Sequence, residues 1–220
     1  MTTDLFPAAP RSARRSSAMA RRRKVSIEAM KSARETIGPL EREMALFAIT
    51  RGQFSMIDVI NTIVDQAGPC HISVWTWAIA AYEVDVIVGL MERQDILGAT
   101  LIIDYSSEQR SGEIIDQWRA RFGDKAVKDC RNHAKISRVW NDEWHFLARG
   151  SMNLNFNPRF EQFDLTEGGD DFALVGEIED ALPVLGGNCT RADADAATGV
   201  GQAFEQSTLE LFSGAKTWAK

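Results

Sequence analysis

The sequence predicts an α/β fold in which a mixed β-sheet is flanked by helices on both faces. From residue 44 to residue 122, short apolar runs alternate with segments whose apolar residues recur at helical spacing. After residue 125, several strand-like segments follow one another. Alternating strands and helices followed by clustered strands imply a mixed sheet covered by helices. With 220 residues, 45% of them apolar, the chain is long enough for one domain with a sizeable core.

The chain divides into three predicted parts, at residues 1–24, 25–185 and 186–220. Residues 1–24 are charged, rich in Ser and Ala and without an apolar period, which predicts a disordered basic arm. Residues 186–203 are rich in Gly, Ala and Asp and predict a loop. The remaining tail, 203–220, is expected to hold a short helix.

The central part carries the predicted fold. Residues 25–40 predict a short helix that is broken at Gly38-Pro39. Further along, β-branched and aromatic runs predict strands and amphipathic runs predict helices. Strands are expected at 44–49, 72–79, 99–105, 126–130, 134–140 and 144–149, and helices over 56–68, 84–91, 114–122 and 171–183.

Charge is distributed unevenly along the chain. Residues 1–24 carry a net charge of +6 within a total of −6, so the remainder carries −12. A basic arm on an acidic body favours nonspecific contact with phosphates. The arginines expected to bind such a substrate are Arg14, Arg15, Arg21, Arg22 and Arg23.

Composition also restricts the class of protein. No stretch reaches the ~18 apolar residues that a membrane span requires, so we expect no membrane span. Three scattered cysteines suit a reducing cytoplasm better than a disulfide framework, and we expect a cytoplasmic protein. Cys130 and His133 are spaced like half of a zinc site, but no second pair accompanies them, and no metal or other cofactor is predicted.

The residues that carry chemistry lie between positions 133 and 161. His133 and Lys135 alternate along a predicted strand, so their side chains emerge on the same face. An imidazole beside an ammonium group indicates that an anion binds between them, and phosphate is the natural ligand. Ser151 and Asn153 repeat this spacing one strand later with two further donor groups. Gly150 lets the backbone approach closely and is expected to contribute to substrate binding.

His-x-Lys followed by Gly-Ser-x-Asn resembles the HKD motif of the phospholipase D superfamily. The resemblance covers residues 42–183 and includes the strands ISVWTW and LIID and the acid Glu161. It implies a phospholipase D-like half-domain. Trp140 occupies the position of the motif Asp, and the nearest candidate, Asp142, comes two residues late. Either a local insertion in the hairpin restores the Asp, or the Asp is absent.

The resemblance implies a metal-independent phosphodiesterase that is similar to the nuclease members of the superfamily. His133 would be the nucleophile that forms a phosphohistidine, and a second His would act as general acid and base. Lys135, Ser151 and Asn153 would hold the non-bridging oxygens, and Glu161 would orient the imidazole. The chain has one such motif, since neither His71 nor His145 begins His-x-Lys. The expected active unit is therefore a homodimer in which two copies of His133 meet.

Other interpretations remain open at this level. The chain could be a lipid phosphodiesterase, or a non-catalytic relative that serves as a binding or assembly module, which Trp140 and Arg149 keep under consideration. The acidic stretch 161–180 is expected to be a solvated face. Core or rim positions are expected for the tryptophans, Trp75, Trp77, Trp118, Trp140 and Trp144.

Overall fold

The computed structural model describes residues 24–155, 157–186 and 189–199, and its fold is α/β. The strands are β1 (Lys24–Glu28), β2 (Ala45–Thr50), β3 (Cys70–Thr76), β4 (Ile96–Asp104), β5 (Val127–Cys130), β6 (Ile136–Trp140), β7 (His145–Gly150) and β8 (Glu161–Glu167). The helices of the described residues are α1 (Ala33–Ile37), α2 (Met56–Ala67), α3 (Ala81–Glu92), α4 (Glu108–Phe122), α5 (Asp170–Ala181) and α6 (Arg191–Thr198).

All eight strands form one mixed sheet in the order β1-β2-β8-β7-β6-β3-β4-β5. Strands β3, β4 and β5 run parallel, as do β1 and β2. The antiparallel strands β6, β7 and β8 fill the space between β2 and β3. The carboxyl ends of β2, β3, β4, β5 and β7 therefore lie at the same edge of the sheet as the beginnings of β6 and β8. We call this edge the site edge.

Helices cover both faces of the sheet, as predicted. Successive side chains of a strand point to opposite faces. Ile72 and Val74 of β3 accordingly join the main core with the apolar side of α2, which begins at a capping box and ends at Gly68. Trp75, on the other face, packs with Ile102 and Leu182 at the end of α5.

Three elements differ from the sequence-based expectation. Residues 24–28 form β1 where a helix was predicted from residue 25, so Lys24 belongs to the sheet and not to the arm. The acidic stretch 161–180 is not simply a solvated face: β8 is an internal strand with Phe163 and Leu165 fully buried, and Glu167 and Glu179 are buried as well. Helix α6 lies within the predicted loop 186–203.

These differences have physical reasons. In β8 the apolar residues alternate with carboxylates and polar groups, a pattern that composition alone assigns to the surface. Helix α6 has no large apolar side chain; a capping box between Thr190 and Asp193 begins it, and Ala194 and Ala197 are its buried residues. The basic residues of 1–23 and the helix expected within 203–220 lie outside the described residues.

A buried carboxylate joins α5 to the sheet. Glu179 accepts hydrogen bonds from Ser73 Oγ and Arg138 Nη1 and, at 2.8 Å, from the indole N–H of Trp75. The side chains of Arg138 and Glu179 are 13% and 7% exposed, so this ion pair is shielded from water. The three donors satisfy the hydrogen-bonding capacity of this buried carboxylate. Without the carboxylate, the same three donors would be left without an acceptor.

Replacing this carboxylate should strongly destabilise the fold. We expect Glu179→Ala to lower the free energy of unfolding by about 3–5 kcal/mol, because it leaves the Arg138 charge buried without a partner. The neighbouring exposed residue provides the control, since Asp180→Ala should change stability by less than about 0.5 kcal/mol. Urea unfolding followed by circular dichroism measures both variants, and equal midpoints would contradict the assignment.

Candidate functional site

The candidate site lies at the site edge, where the open ends of parallel strands generally bind ligands in α/β proteins. Four short segments meet there. They are the loop after β3, the residues after β4, the loop 131–135 between β5 and β6, and the segment 151–155 after β7. Each segment follows or precedes a strand of the central sheet, so the sheet fixes their separations.

Asn132 connects three of these segments and holds the loop that carries His133. Its side-chain amide donates to the carbonyl oxygens of Thr76 (3.0 Å) and Ile102 (3.2 Å), near the ends of β3 and β4. Its Oδ1 accepts from the backbone N–H of Ala134 at 2.9 Å, and its own N–H donates to Asp104 Oδ2 at 3.2 Å. Asn132 is 4% exposed, so these bonds are formed away from competing water.

His133 and Lys135 lie in the loop that precedes β6 and not within the strand itself. Their side chains nevertheless meet, as the i, i+2 spacing predicts: Lys135 Nζ lies 3.2 Å from His133 Nδ1 and donates to His133 O at 2.7 Å. The two residues differ in exposure, because His133 is exposed and Lys135 is only 9% exposed. The imidazole of His133 is therefore exposed to solvent while it contacts the amine of a buried lysine.

Burial lowers the pKa of Lys135 below the ordinary value for lysine, and the nearby Glu161 carboxylate partly offsets this effect. A buried amine loses hydration that favours its charged form. An incoming anion would supply the counter-charge that this environment provides only in part. Lys135 therefore has the electrostatic character of an anion-binding group.

Ser151 and Glu161 form a pair on the neighbouring strands. The Ser151 hydroxyl donates to Glu161 Oε2 and accepts from the N–H of Gln162 at 3.0 Å, while Glu161 Oε1 accepts from Asn157 Nδ2 at 3.0 Å. The predicted bond from Glu161 to the imidazole of His133 is not formed within this chain. Glu161 instead holds Ser151 and Asn157, so its role here differs from the one that the resemblance implies.

Gly150 has a clear reason to be glycine in this fold. A Cβ at this position would lie 2.1 Å from the carbonyl oxygen of Gln162 and 2.8 Å from Cα of Phe163. The backbone N–H of Gly150 also donates to Lys135 O at 3.0 Å. The close approach that the sequence predicted at Gly150 is therefore made to β8, and it brings Ser151 alongside Glu161.

Asn153 reaches the site through the loop after β3. Its Oδ1 accepts a long hydrogen bond of 3.4 Å from the backbone N–H of Trp77, which leaves the Nδ2 donor without a partner among the described residues. The indole of Trp77 lies beside His133, with ring centroids 5.9 Å apart. Thr76 stabilises this arrangement, because its hydroxyl accepts from the N–H of Leu154 at 3.0 Å.

The residues at and near the missing motif Asp lie away from the site. Trp140 ends β6 at the opposite edge of the sheet, where it stacks on His71 with centroids 5.6 Å apart. Asp142 lies in the turn between β6 and β7, beyond Trp140, and therefore cannot take part in the site. Arg149 forms an ion pair of 2.7 Å with Asp171 of α5.

Sequence reasoning missed several residues that shape this site. Asn132 and Asp104 hold the loops of the site through their hydrogen bond. Asn157 donates to the carboxylate of Glu161, and Arg110 contacts the ring of Trp77. Two of these residues could have been found from their positions in the sequence, because Asp104 ends the apolar strand LIID and Asn132 immediately precedes His133. The arginines expected to bind substrate, Arg14, Arg15, Arg21, Arg22 and Arg23, lie outside the described residues.

Neither a metal site nor a thiol site is found in the described ranges. No group of three or more His, Cys, Asp or Glu side chains there is arranged to hold a metal ion. Burial, with smaller contributions from Asp104 and Asp129, raises the pKa of Cys130 to about 12, so its thiol stays protonated at neutral pH.

Comparisons with known proteins place this chain in no established family. No model of a known protein family matches the sequence, and no curated protein matches it. Within the described ranges, every helix is too short or too polar to span a lipid bilayer.

The buried amine leads to a prediction about stability. The pKa of Lys135 is lower in the folded protein than in the unfolded chain, so its charge opposes folding at every pH below the unfolded pKa of about 10.4. We expect Lys135→Met to leave the melting temperature at neutral pH unchanged or to raise it, because the substitution removes an amine whose charged form burial disfavours.

Differential scanning fluorimetry from pH 7 to pH 10.5 checks the sign. Any advantage of the variant should shrink as the pH approaches 10.5, because the folded protein loses the charge of this amine before the unfolded chain does. A melting temperature several degrees below that of the wild type at pH 7 would show that Lys135 contributes to stability.

Proposed function

We propose that this protein is a metal-independent phosphodiesterase that acts through a phosphohistidine and belongs to the phospholipase D superfamily. The observation that carries the proposal is the exposed imidazole of His133 in contact with the buried amine of Lys135. Asn153 accepts from the backbone N–H of Trp77, whose ring lies 5.9 Å from the same imidazole, and its amide Nδ2 has no partner among the described residues. A nucleophile and two anion donors at the open end of a sheet suit phosphoryl transfer.

The proposed reaction has two displacements. Nε2 of His133 attacks phosphorus, the bond to the leaving oxygen breaks, and a second imidazolium donates its proton to that oxygen. The second imidazole, now neutral, takes a proton from water. The resulting hydroxide attacks phosphorus, and the P–N bond breaks to regenerate His133. Lys135 and Asn153 hold the non-bridging oxygens throughout, and Ser151 joins them when its hydroxyl turns away from Glu161.

The contact between His133 and Lys135 relates to both roles of the imidazole. Attack by Nε2 on phosphorus requires the proton of the neutral imidazole on Nδ1. A charged Lys135, now 3.2 Å from Nδ1, would then turn its N–H groups from Nδ1 toward the non-bridging oxygens of the phosphate. The imidazolium that acts as general acid has a proton on both ring nitrogens.

The second imidazole is proposed to come from a second copy of the chain. His71 stacks on Trp140 at the opposite edge, and His145 begins β7 at that same edge and contacts Phe172. Neither of these histidines can reach His133. An isologous dimer would bring two exposed His133 side chains together and complete the site. Such an interface would bury at least ~1,000 Å².

Nucleic acid is the proposed substrate, and the basic arm favours it over a lipid. Residues 1–24 carry a net charge of +6, which suits a polyanion. The alternative function is a non-catalytic binding or assembly module. Two observations favour that alternative, namely Trp140 at the position of the motif Asp and the hydrogen bond that keeps the Ser151 hydroxyl on Glu161.

Hydrolysis should depend on two copies of His133. We expect His133→Ala to abolish cleavage of nucleic acid, whereas EDTA should leave cleavage by the wild type unchanged, because Lys135 and the amide donors supply the positive charge. His71→Ala is the matched control, an exposed histidine at the opposite edge, and should keep wild-type activity. Purified dimers of one wild-type and one His133→Ala chain should be nearly inactive. Half of the wild-type rate would show that each chain acts alone.

Parallel assays on nucleic acid and on a lipid phosphodiester separate the substrate classes. Activity on neither substrate, with binding of nucleic acid retained, would support the non-catalytic module and overturn the catalytic proposal.

The arm should contribute affinity and not stability. Because Lys24 belongs to β1, the deletion that tests the arm covers residues 1–23. We expect this deletion to weaken oligonucleotide binding in fluorescence anisotropy and to leave the melting temperature unchanged. The difference between full-length and shortened protein should shrink as salt increases, because each neutralised phosphate releases counterions. Equal affinities at low salt would show that the arm takes no part in binding.

A further inference from the structure

Two exposed aromatic side chains lie at the site edge, on either side of the His133–Lys135 pair. Trp77 follows β3 and is 38% exposed, and Phe160 precedes β8 and is 72% exposed. A single exposed ring is common on protein surfaces, but aromatic side chains are enriched where proteins bind partners, and single-stranded nucleic acids are bound by stacking on such rings. Strands β3 and β8 are separated by β6 and β7. The backbone positions that carry the two rings are therefore roughly 14 Å apart, which is three strand spacings.

Each of these rings is paired with an arginine. The guanidinium carbon of Arg110 lies 4.4 Å from the centroid of the Trp77 ring, and that of Arg51 lies 5.4 Å from the Phe160 ring. Both distances are within the range of cation–π contact. Each pair therefore combines a π surface with a guanidinium group, although the guanidinium of Arg51 also forms an ion pair of 2.7 Å with Glu28.

The Trp77 pair is built rigidly. Arg110 donates to Ser106 Oγ and Ser107 Oγ, both at 2.9 Å, and to the carbonyl oxygen of Trp77 at 3.2 Å. The same carbonyl accepts from the Ser107 hydroxyl at 2.8 Å. The backbone carbonyl of Trp77 is thus held by hydrogen bonds from Arg110 and Ser107. Its backbone N–H donates to Asn153, one of the proposed phosphate-binding residues.

We infer that Trp77 and Phe160, each with its arginine, are stacking platforms for bases on either side of the scissile phosphate. This inference rests on the proposed function and specifies its substrate as an unpaired nucleic-acid strand, because a base can stack on a protein ring only when it has left its own helix. Base–aromatic stacking tolerates any sequence, since every base has a π face. Trp77 lies at a rim position, as the sequence predicts, and the inference adds a binding role to it.

A matched pair at the opposite edge provides the control. Trp144 lies in the turn between β6 and β7, with the Arg42 guanidinium carbon 3.9 Å from its ring centroid. It has the same chemistry as the Trp77 pair but is remote from His133. Trp144 is partly buried against the core and stacks on Phe146, so any general effect of losing a tryptophan on folding should appear there as well.

The test compares two fluorescently labelled single strands of equal length, an oligothymidylate and a strand of abasic sugar-phosphate units. Both strands carry the same number of phosphates, so binding to the basic arm cancels in the ratio of their dissociation constants. The wild type should bind the oligothymidylate at least about fivefold more tightly, the lower end of the effect of one stacked base. Fluorescence anisotropy on the full chain at fixed salt gives the ratio.

Substitutions then assign the preference to the two rings. Trp77→Leu combined with Phe160→Leu should reduce the ratio to about one, because leucine keeps apolar volume but offers no planar face. Trp77→Phe should keep most of the preference, which separates stacking from loss of folding. Trp144→Leu should behave as the wild type. A wild-type ratio of one, or a ratio unchanged in the double variant, would overturn the inference.

Binding and hydrolysis report on different claims. The protein could bind the oligothymidylate and the abasic strand with equal affinity and cleave both at equal rates. That result would overturn the inference about stacking platforms and would still support the proposed phosphodiesterase. A strong base preference in binding without any cleavage would support the platforms and overturn the proposed catalytic function.

Discussion

The buried side chain of Asn132 is the connection on which the candidate site depends. It is the point where β3, β4 and the loop before β6 are joined by hydrogen bonds from a single amide. The loop has no regular secondary structure of its own, so its conformation is determined by these bonds and by Asp104. The sheet thereby fixes where the imidazole of His133 lies, although His133 itself is exposed. Preorganisation of this kind allows a reactive group on a loop to be positioned as if it belonged to a strand.

The surroundings of Lys135 combine a buried lysine with a single nearby carboxylate. The fold buries an amine and gives it two acceptors in His133 and a partial counter-charge in Glu161. Glu161 in turn accepts hydrogen bonds from Ser151 and Asn157. The carboxylate therefore occupies donor groups that could otherwise bind a phosphate. The arrangement is consistent with a site in which an internal carboxylate balances the charge of the donors until an external anion replaces it.

The sequence allows much of this fold to be predicted where a single physical signal dominates. Helix α2 and strands β3 and β4 have strong apolar periods, and the prediction agrees with the structure to within a few residues. Strand β8 was missed because its internal position follows from pairing with β2, which lies more than one hundred residues earlier in the chain. Pairing at that separation leaves no local signal beyond the alternation around Phe163 and Leu165.

The same distinction applies to the site. The contact between His133 and Lys135 follows from spacing alone, and the structure contains it. The partners of Glu161 and the role of Asn132 depend on how distant strands meet, which no spacing along the chain specifies. Trp77 could be assigned to the core or the surface only after the ends of β3 and β7 were located, since its exposure is a property of the sheet edge.

The strand order has a consequence for how the protein is made. On one side β2 pairs with β1, but its other edge is covered only when β8 has been synthesised. At ribosomal rates of ~5–20 residues per second, that edge stays open for roughly 5–20 s on every nascent chain. An unpaired apolar strand edge is a template for wrong pairing with other chains. Binding of a chaperone to the segment that precedes β8 would therefore matter for yield, and the sheet can close only after β8 has been synthesised.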